Sequence, residues 1–132
     1  MKFYSEELPA GWELLYLDYA KNENAKPLKR SLYHLQKIFG GLKWDHKVIS
    51  NLYPKKISNY VSIAGFHDYT DAYAITTEGA KKLLEMQTPV SYIADNLLAI
   101  ASTSKKVNAF ISHPKLFHQL SQRHSSSFDS LL

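Results

Sequence analysis

The stretch at residues 71–84, DAYAITTEGAKKLL, changes its side-chain period in mid-course. Across 71–76 the residues alternate. Ala72, Ala74 and Thr76 share one face, and Tyr73 and Ile75 share the other, which is the period of a strand. Farther on, Ala80, Leu83, Leu84 and Gln87 recur at i, i+3, i+4 and i+7, the stripe of an amphipathic helix. Thr76 or Thr77 supplies a hydroxyl for the free amides of the first turn, and Glu78 suits the positive end of its dipole. Pro89 closes the helix. A strand running directly into a helix is a building unit of α/β domains.

The rest of the chain fits that class. WELLYLD at 12–18 is short and apolar, follows Pro9 and Gly11, and reads as a buried strand. Residues 19–30 are polar, contain Pro27 and read as a surface loop. Residues 31–39, SLYHLQKIF, support two readings. Leu32, Leu35 and Phe39 have helical spacing, whereas Leu32, His34 and Gln36 share a face in a strand. Gly40–Gly41 is a break. Residues 47–65 hold β-branched pieces separated by Pro54, a hairpin or a crossover, and end in the strand NYVSIAG. Residues 91–102 read as a second helix and 107–112 as a last strand. A short helix, KLFHQLSQ, then leads to a serine-rich tail. The expectation is one α/β domain over 1–124 and a flexible tail over 125–132.

Composition narrows the function. The chain has 132 residues and no cysteine, which removes disulfides, thiolate metal sites and cysteine nucleophiles. No apolar run approaches the ~20 residues that cross a bilayer, and the N-terminal segment has no signal-peptide core. A cytoplasmic location is expected, at the inner face of the membrane if the substrate is membrane-borne. The formal charge of +4 is spread over scattered lysine pairs, with nine tyrosines. Without a dense basic stripe, nucleic acid is not the expected partner. No Gly-rich phosphate loop, nucleophile elbow or His-Glu-x-x-His helix is present.

GWELLYLDYAK, DAYAITTEGAKKLL, PVSYIADNLL and SHPKLFHQ, with SSS after it, occur in the order and near the spacing of the C-terminal half of family 25 glycosyltransferases. The chain resembles that family, which includes lipooligosaccharide biosynthesis enzymes, from about Leu8 to Ser127. The resemblance implies a GT-A-like mixed sheet with flanking helices, here a C-terminal portion. It implies inverting transfer of a hexose, often galactose, from a UDP-sugar to a cell-surface glycan acceptor, with a manganese or magnesium ion. It places strand 71–76 with its end at the cleft and helix 77–87 behind it, with Ala72 and Ala74 allowing close approach. The chain departs from the family in two respects. It has no Asp-x-Asp or Asp-Asp pair, and Asp71 stands where the family usually has His. The nucleotide half and its metal grip would then lie on other polypeptide, a second chain or a copy that completes the fold. The alternative is a truncated, non-catalytic module that binds glycan or a partner.

Asp95 matches an acidic residue on the acceptor side of the family's cleft, where a carboxylate takes the acceptor hydroxyl proton. Read from local sequence alone, it is a first-turn helix carboxylate. Asp68 and Asp71 stand ahead of the strand as ligands of a metal or of acceptor hydroxyls, or as turn formers. Tyr73, Trp12 and Trp44 are either sugar-stacking rings or core. Gln119, Ser125 and Ser126 match the family's terminal Gln and Ser positions and are either contacts to donor or acceptor hydroxyls or part of a polar C-terminal tail. His113 is a weak metal candidate. It stands five residues from His118, not the four that align two ligands on a helix face.

Overall fold

Leu14, Leu15 and Tyr16 are fully or nearly fully buried and form strand β1 (Leu14–Tyr16), the shortened centre of the apolar run at 12–18. The computed structural model describes residues 6–20, 22, 26–68 and 71–117. Among these, β1 is followed by helix α1 (Pro27–Ile38), helix α2 (His46–Ser50) and strands β2 (Lys55–Lys56), β3 (Val61–Ile63) and β4 (Tyr73–Ile75). Helix α3 (Thr77–Met86), helix α4 (Ala94–Thr103) and strand β5 (Ala109–Ser112) complete the order. The five strands make one mixed sheet in the order β2-β3-β5-β1-β4. Only β1 and β5 run parallel. The expected mixed α/β class is therefore what the chain adopts.

Strand register sorts the side chains into two faces. Leu14, Tyr16, Ile75, Ala109 and Ile111 lie on one face, where Leu83 of α3 and Leu97, Leu98 and Ala101 of α4 cover them. Leu15, Val61 and Phe110 lie on the other, packed with Leu8, Trp12 and Ile63. Trp12 is thus a core ring.

Several local expectations change. Pro27 is the first residue of α1 and not part of a loop, as suits its fixed φ and missing N–H. Residues 31–38 resolve as helix. Phe39, Gly40 and Gly41 end it in a Schellman turn: the Gly41 amide donates to the Gln36 carbonyl at 2.9 Å and Gly40 takes φ +75°. Val48 and Ile49 belong to α2, not to a strand. Residues 115–117 are not helical, and the remainder of that expected helix lies outside the described residues.

The 71–84 switch is realised as β4 and α3, with the Thr76 hydroxyl accepting from the Gly79 amide at 3.1 Å. Its placement differs from expectation. β4 is an edge strand antiparallel to β1, so Ile75 faces Leu14 and Tyr73 faces Tyr16. The strand ends at the start of β1, away from β1's C-terminal end. Close approach falls on Gly79, where a Cβ would come within 2.5 Å of the Glu13 carbonyl oxygen, and not on Ala72 or Ala74.

At that end, buried Glu13 ties α3 to the sheet. It accepts from Lys82 Nζ at 2.5 Å and from the Asn108 amide at 2.9 Å. Burial alone would raise its pKa, but the Lys82 and Asn108 hydrogen bonds and the Lys82 charge outweigh this and hold the carboxyl below its ordinary value. A carboxyl whose folded pKa is depressed contributes stability above its unfolded pKa and loses that contribution as pH falls through the folded value. Glu13→Gln should cost about 1–2 kcal/mol at neutral pH, discounted because Lys82 is half exposed. The variant should also flatten the fall in stability below about pH 4.5. Urea unfolding at pH 7 and pH 3 checks both, and an equal loss at the two pH values would contradict the assignment.

Candidate functional site

β1 and β5 run parallel, and the chain leaves both at one end of the sheet. Tyr16, Asp18 and Tyr19 close β1, and Ser112, His113 and Lys115 close β5. The C-terminal ends of parallel strands are where α/β sheets leave a crevice for ligands. Two further segments reach this end. After β3, residues 65–68 turn back over the helix-covered face, where the Asp68 amide donates to the Ala20 carbonyl at 3.2 Å. The first turn of α4 brings Asp95 and Asn96.

Tyr16 is the focus. Its ring is fully buried, and its hydroxyl has no hydrogen-bond partner among the described residues. A buried hydroxyl without a partner is costly and calls for an explanation. Burial, then the charges of Asp95 and Asp68 and the phenol of Tyr73, hold this hydroxyl well above the ordinary tyrosine range. Asp68 and Asp95, 27 positions apart in sequence, therefore act on one buried hydroxyl.

A network of rings surrounds it. The His67 ring stands edge-on to Tyr16, with centroids 5.8 Å apart, and tilts against Tyr19 at 5.1 Å. The Gly65 amide donates to His67 Nε2 at 3.0 Å, so that nitrogen is an acceptor and the neutral ring carries its proton on Nδ1. The Tyr19 hydroxyl meets His113 Nδ1 at 3.1 Å, and Ser62 Oγ meets His113 Nε2 at 2.9 Å. Lys115 Nζ lies 4.7 Å from the Tyr19 ring centre, a cation–π distance.

Beside this cluster lies an open cavity of about 550 Å³, lined by the rings of Tyr33, Trp44 and Phe66 and by Asn22, Asp68 and Asn96, with Lys26 and Lys29 at its basic side. Trp44 stacks on Phe66 at 5.2 Å and meets Tyr33 edge-on at 6.1 Å. Asn22, in the left-handed region at φ 52°, donates its amide to the Phe66 carbonyl at 2.6 Å and so holds one wall. Aromatic faces combined with amide and carboxylate groups suit a polyhydroxylated ligand.

The sequence candidates divide accordingly. Asp95 is half-buried and its charge bears on the Tyr16 phenol, but it is not among the residues that line the cavity, whereas Asp68 lines the cavity and its charge bears on the same phenol. Trp44 is a cavity wall. Tyr73 is 44% exposed on the edge strand, which overturns the core reading for it. Asp71 is exposed and precedes Ala72, whose carbonyl accepts from the Leu17 and Asp18 amides, so it stands at the same end of the sheet. His113 has both ring nitrogens engaged by hydroxyls. Gln119, Ser125 and Ser126 lie outside the described residues. Among the described residues no three His, Asp or Glu side chains gather as a metal site, so these residues alone do not fit the divalent ion that the resemblance implies. Tyr16, Tyr19, His67, Tyr33, Phe66, Asn22 and Asn96 were not singled out from the sequence. The only local sign was the adjacency of Asn96 to Asp95.

Comparison with protein-family models, with curated proteins and with solved structures returned no match.

Proposed function

We propose that this chain is the acceptor-side portion of a GT-A-like inverting glycosyltransferase of the family 25 type, taking a hexose from a UDP-sugar onto a glycan hydroxyl. The observation that carries the reading is the cavity walled by aromatic rings, which holds Asp68 and Asn96, the latter next to Asp95 in the first turn of α4. The ordered resemblance of its motifs supports it independently. In this reading an acceptor sugar lies against Trp44 and Tyr33 and offers a hydroxyl toward Asp95. The carboxylate takes that proton as the oxygen attacks the anomeric carbon and the bond to the UDP oxygen breaks. Asp68 and Asn96 orient the acceptor through its other hydroxyls.

A second reading is glycan binding without transfer. It is favoured by the absence of an Asp-x-Asp pair from the sequence and by the poor fit of the described residues to a metal. The two readings share the cavity and differ in the donor.

Trp44 reports on both. In a Trp12→Phe variant it is the one remaining tryptophan. Titration with galactose-terminated oligosaccharides should give a saturable fluorescence change, weakened about tenfold or more by Asp68→Asn. Addition of UDP-galactose, manganese and the donor-side polypeptide should then yield a longer glycan in the first reading and none in the second. Absence of a saturable change with any hexoside would sink both.

A further inference from the structure

Helix α1 is turned inside out. Leu28, Leu32, Leu35 and Phe39 fall at i, i+4, i+7 and i+11, one continuous stripe on a helix. This stripe faces solvent: Leu28 is 86% exposed, Phe39 80%, and Leu32 and Leu35 about half. Ile38 extends it. The side packed on the protein is polar. Tyr33 meets Trp44 edge-on at 6.1 Å, and His34 Nδ1 lies 3.1 Å from His46 Nδ1 of α2. No residue of α1 is fully buried. Five large apolar side chains on one exposed helix exceed the scattered apolar residues of an ordinary surface.

The charge around the stripe selects its partner. From Lys26 to Trp44 the chain holds Lys26, Lys29, Arg30, Lys37 and Lys43 and neither Asp nor Glu. A preformed helix with a leucine-and-phenylalanine face and basic flanks is the form that lies in the plane of an anionic lipid surface. A second copy fits less well. Pairing two such helices sets like charges against each other, and one 12-residue helix per copy falls short of the ~1,200 Å² that a stable dimer buries. Residues 118–132 also lack the complementary charge, with Asp129 offset by Arg123. Among the described residues no helix is long and apolar enough to cross a membrane, so attachment here is by one face.

We propose that α1 docks the protein on anionic phospholipid, with the stripe in the acyl boundary and the lysines at the phosphates. The helix is already formed and ended by its Schellman turn, so docking carries no cost of folding it. Lys26 and Lys29 also line the aromatic cavity, so docking sets the cavity mouth at the lipid headgroups. The inference goes beyond the glycosyl reading and does not depend on it.

The test is sedimentation of the full chain with vesicles of phosphatidylglycerol and phosphatidylcholine, against vesicles of phosphatidylcholine alone. Binding should require the anionic lipid and weaken as salt is raised. Leu32→Asp with Leu35→Asp should lower partitioning about a hundredfold, about tenfold for each leucine lost. Lys26→Glu with Lys29→Glu should lower it about tenfold or more. All four positions are exposed, and unchanged thermal unfolding will show that the variants fold. The proposal is overturned if the parent stays in solution with anionic vesicles, or if both double variants sediment as the parent does. It is equally overturned if light scattering finds a dimer that the leucine variant dissolves while vesicles bind nothing, in which case a second copy covers the stripe.

Discussion

Gly65→Ala is expected to lower the unfolding free energy by about 3 kcal/mol or more, enough to unfold a marginal domain on mild warming. A Cβ on Gly65 would overlap the Leu52 carbonyl oxygen and lie 2.8 Å from the Tyr53 carbonyl carbon. These are backbone atoms and cannot rotate aside. The opposing segment, the turn after α2, is also held in place, because the Phe66 amide donates to that same Leu52 carbonyl at 2.8 Å. On the other side, Ser102 of α4 donates its hydroxyl to the Gly65 carbonyl at 3.3 Å, and the Gly65 amide is taken up by His67. Relief of the overlap would therefore have to shift α2, α4 or the segment that carries His67 and Asp68. Gly41→Ala is the control. A Cβ there meets only Gln36 O, at 3.5 Å, so the change should stay within about 0.5 kcal/mol. Urea unfolding of the two variants side by side decides the matter. Equal losses would mean that the contact at Gly65 is not the constraint described.

Gly65 also shows what the sequence could and could not convey. The end of a strand at a glycine was legible, as were the strand-to-helix switch at Thr76 and the α/β class, because each depends on local period or a cap. What the glycine approaches was not legible. Leu52 lies 13 positions earlier, and no periodicity encodes that meeting. The same limit explains β4. Alternation at 71–76 sorts its side chains into faces but is silent on the neighbouring strand and on direction, so the strand was expected to end at the cleft and instead begins there. Helix α1 shows the limit most sharply. The stripe Leu32, Leu35, Phe39 is readable as helical, yet spacing cannot say whether a stripe meets the core or faces away. Its polar side was taken up by Trp44 and His46, and the apolar side was left outward. In the site, Asp95 and Trp44 were visible as residue types with two roles each. Tyr16, His67 and Asp68 become neighbours only when the sheet forms and residues 65–68 fold back across it.

Asp95→Asn separates the two roles of that carboxylate. If it serves the helix alone, its charge interacts with the first-turn dipole of α4, an interaction worth about 0.3–1 kcal/mol, and removal would be felt only in stability. A different balance follows if it belongs to the site. Burial and the charges of Asp95 and Asp68 raise the cost of ionising the same phenol, and an asparagine at 95 keeps the side chain's size while forfeiting the dipole term. Stability should then change by less than about 1 kcal/mol in either direction. The function should suffer far more. An asparagine cannot accept the acceptor's proton, so hexose transfer should fall about 10²- to 10⁴-fold, while oligosaccharide binding read at Trp44 weakens by less than about tenfold. Transfer is measured with UDP-galactose, manganese and a galactoside acceptor, with the donor-side polypeptide supplied in the same reaction. Tyr16→Phe completes the comparison, since it removes the hydroxyl on which both carboxylates act and relieves an unpartnered buried group. It should stabilise the fold by about 1 kcal/mol or leave it unchanged. A loss of transfer in Tyr16→Phe comparable to that in Asp95→Asn would place the phenol in the reaction. Full transfer in Asp95→Asn would return Asp95 to the helix end and leave the cavity as a binding surface.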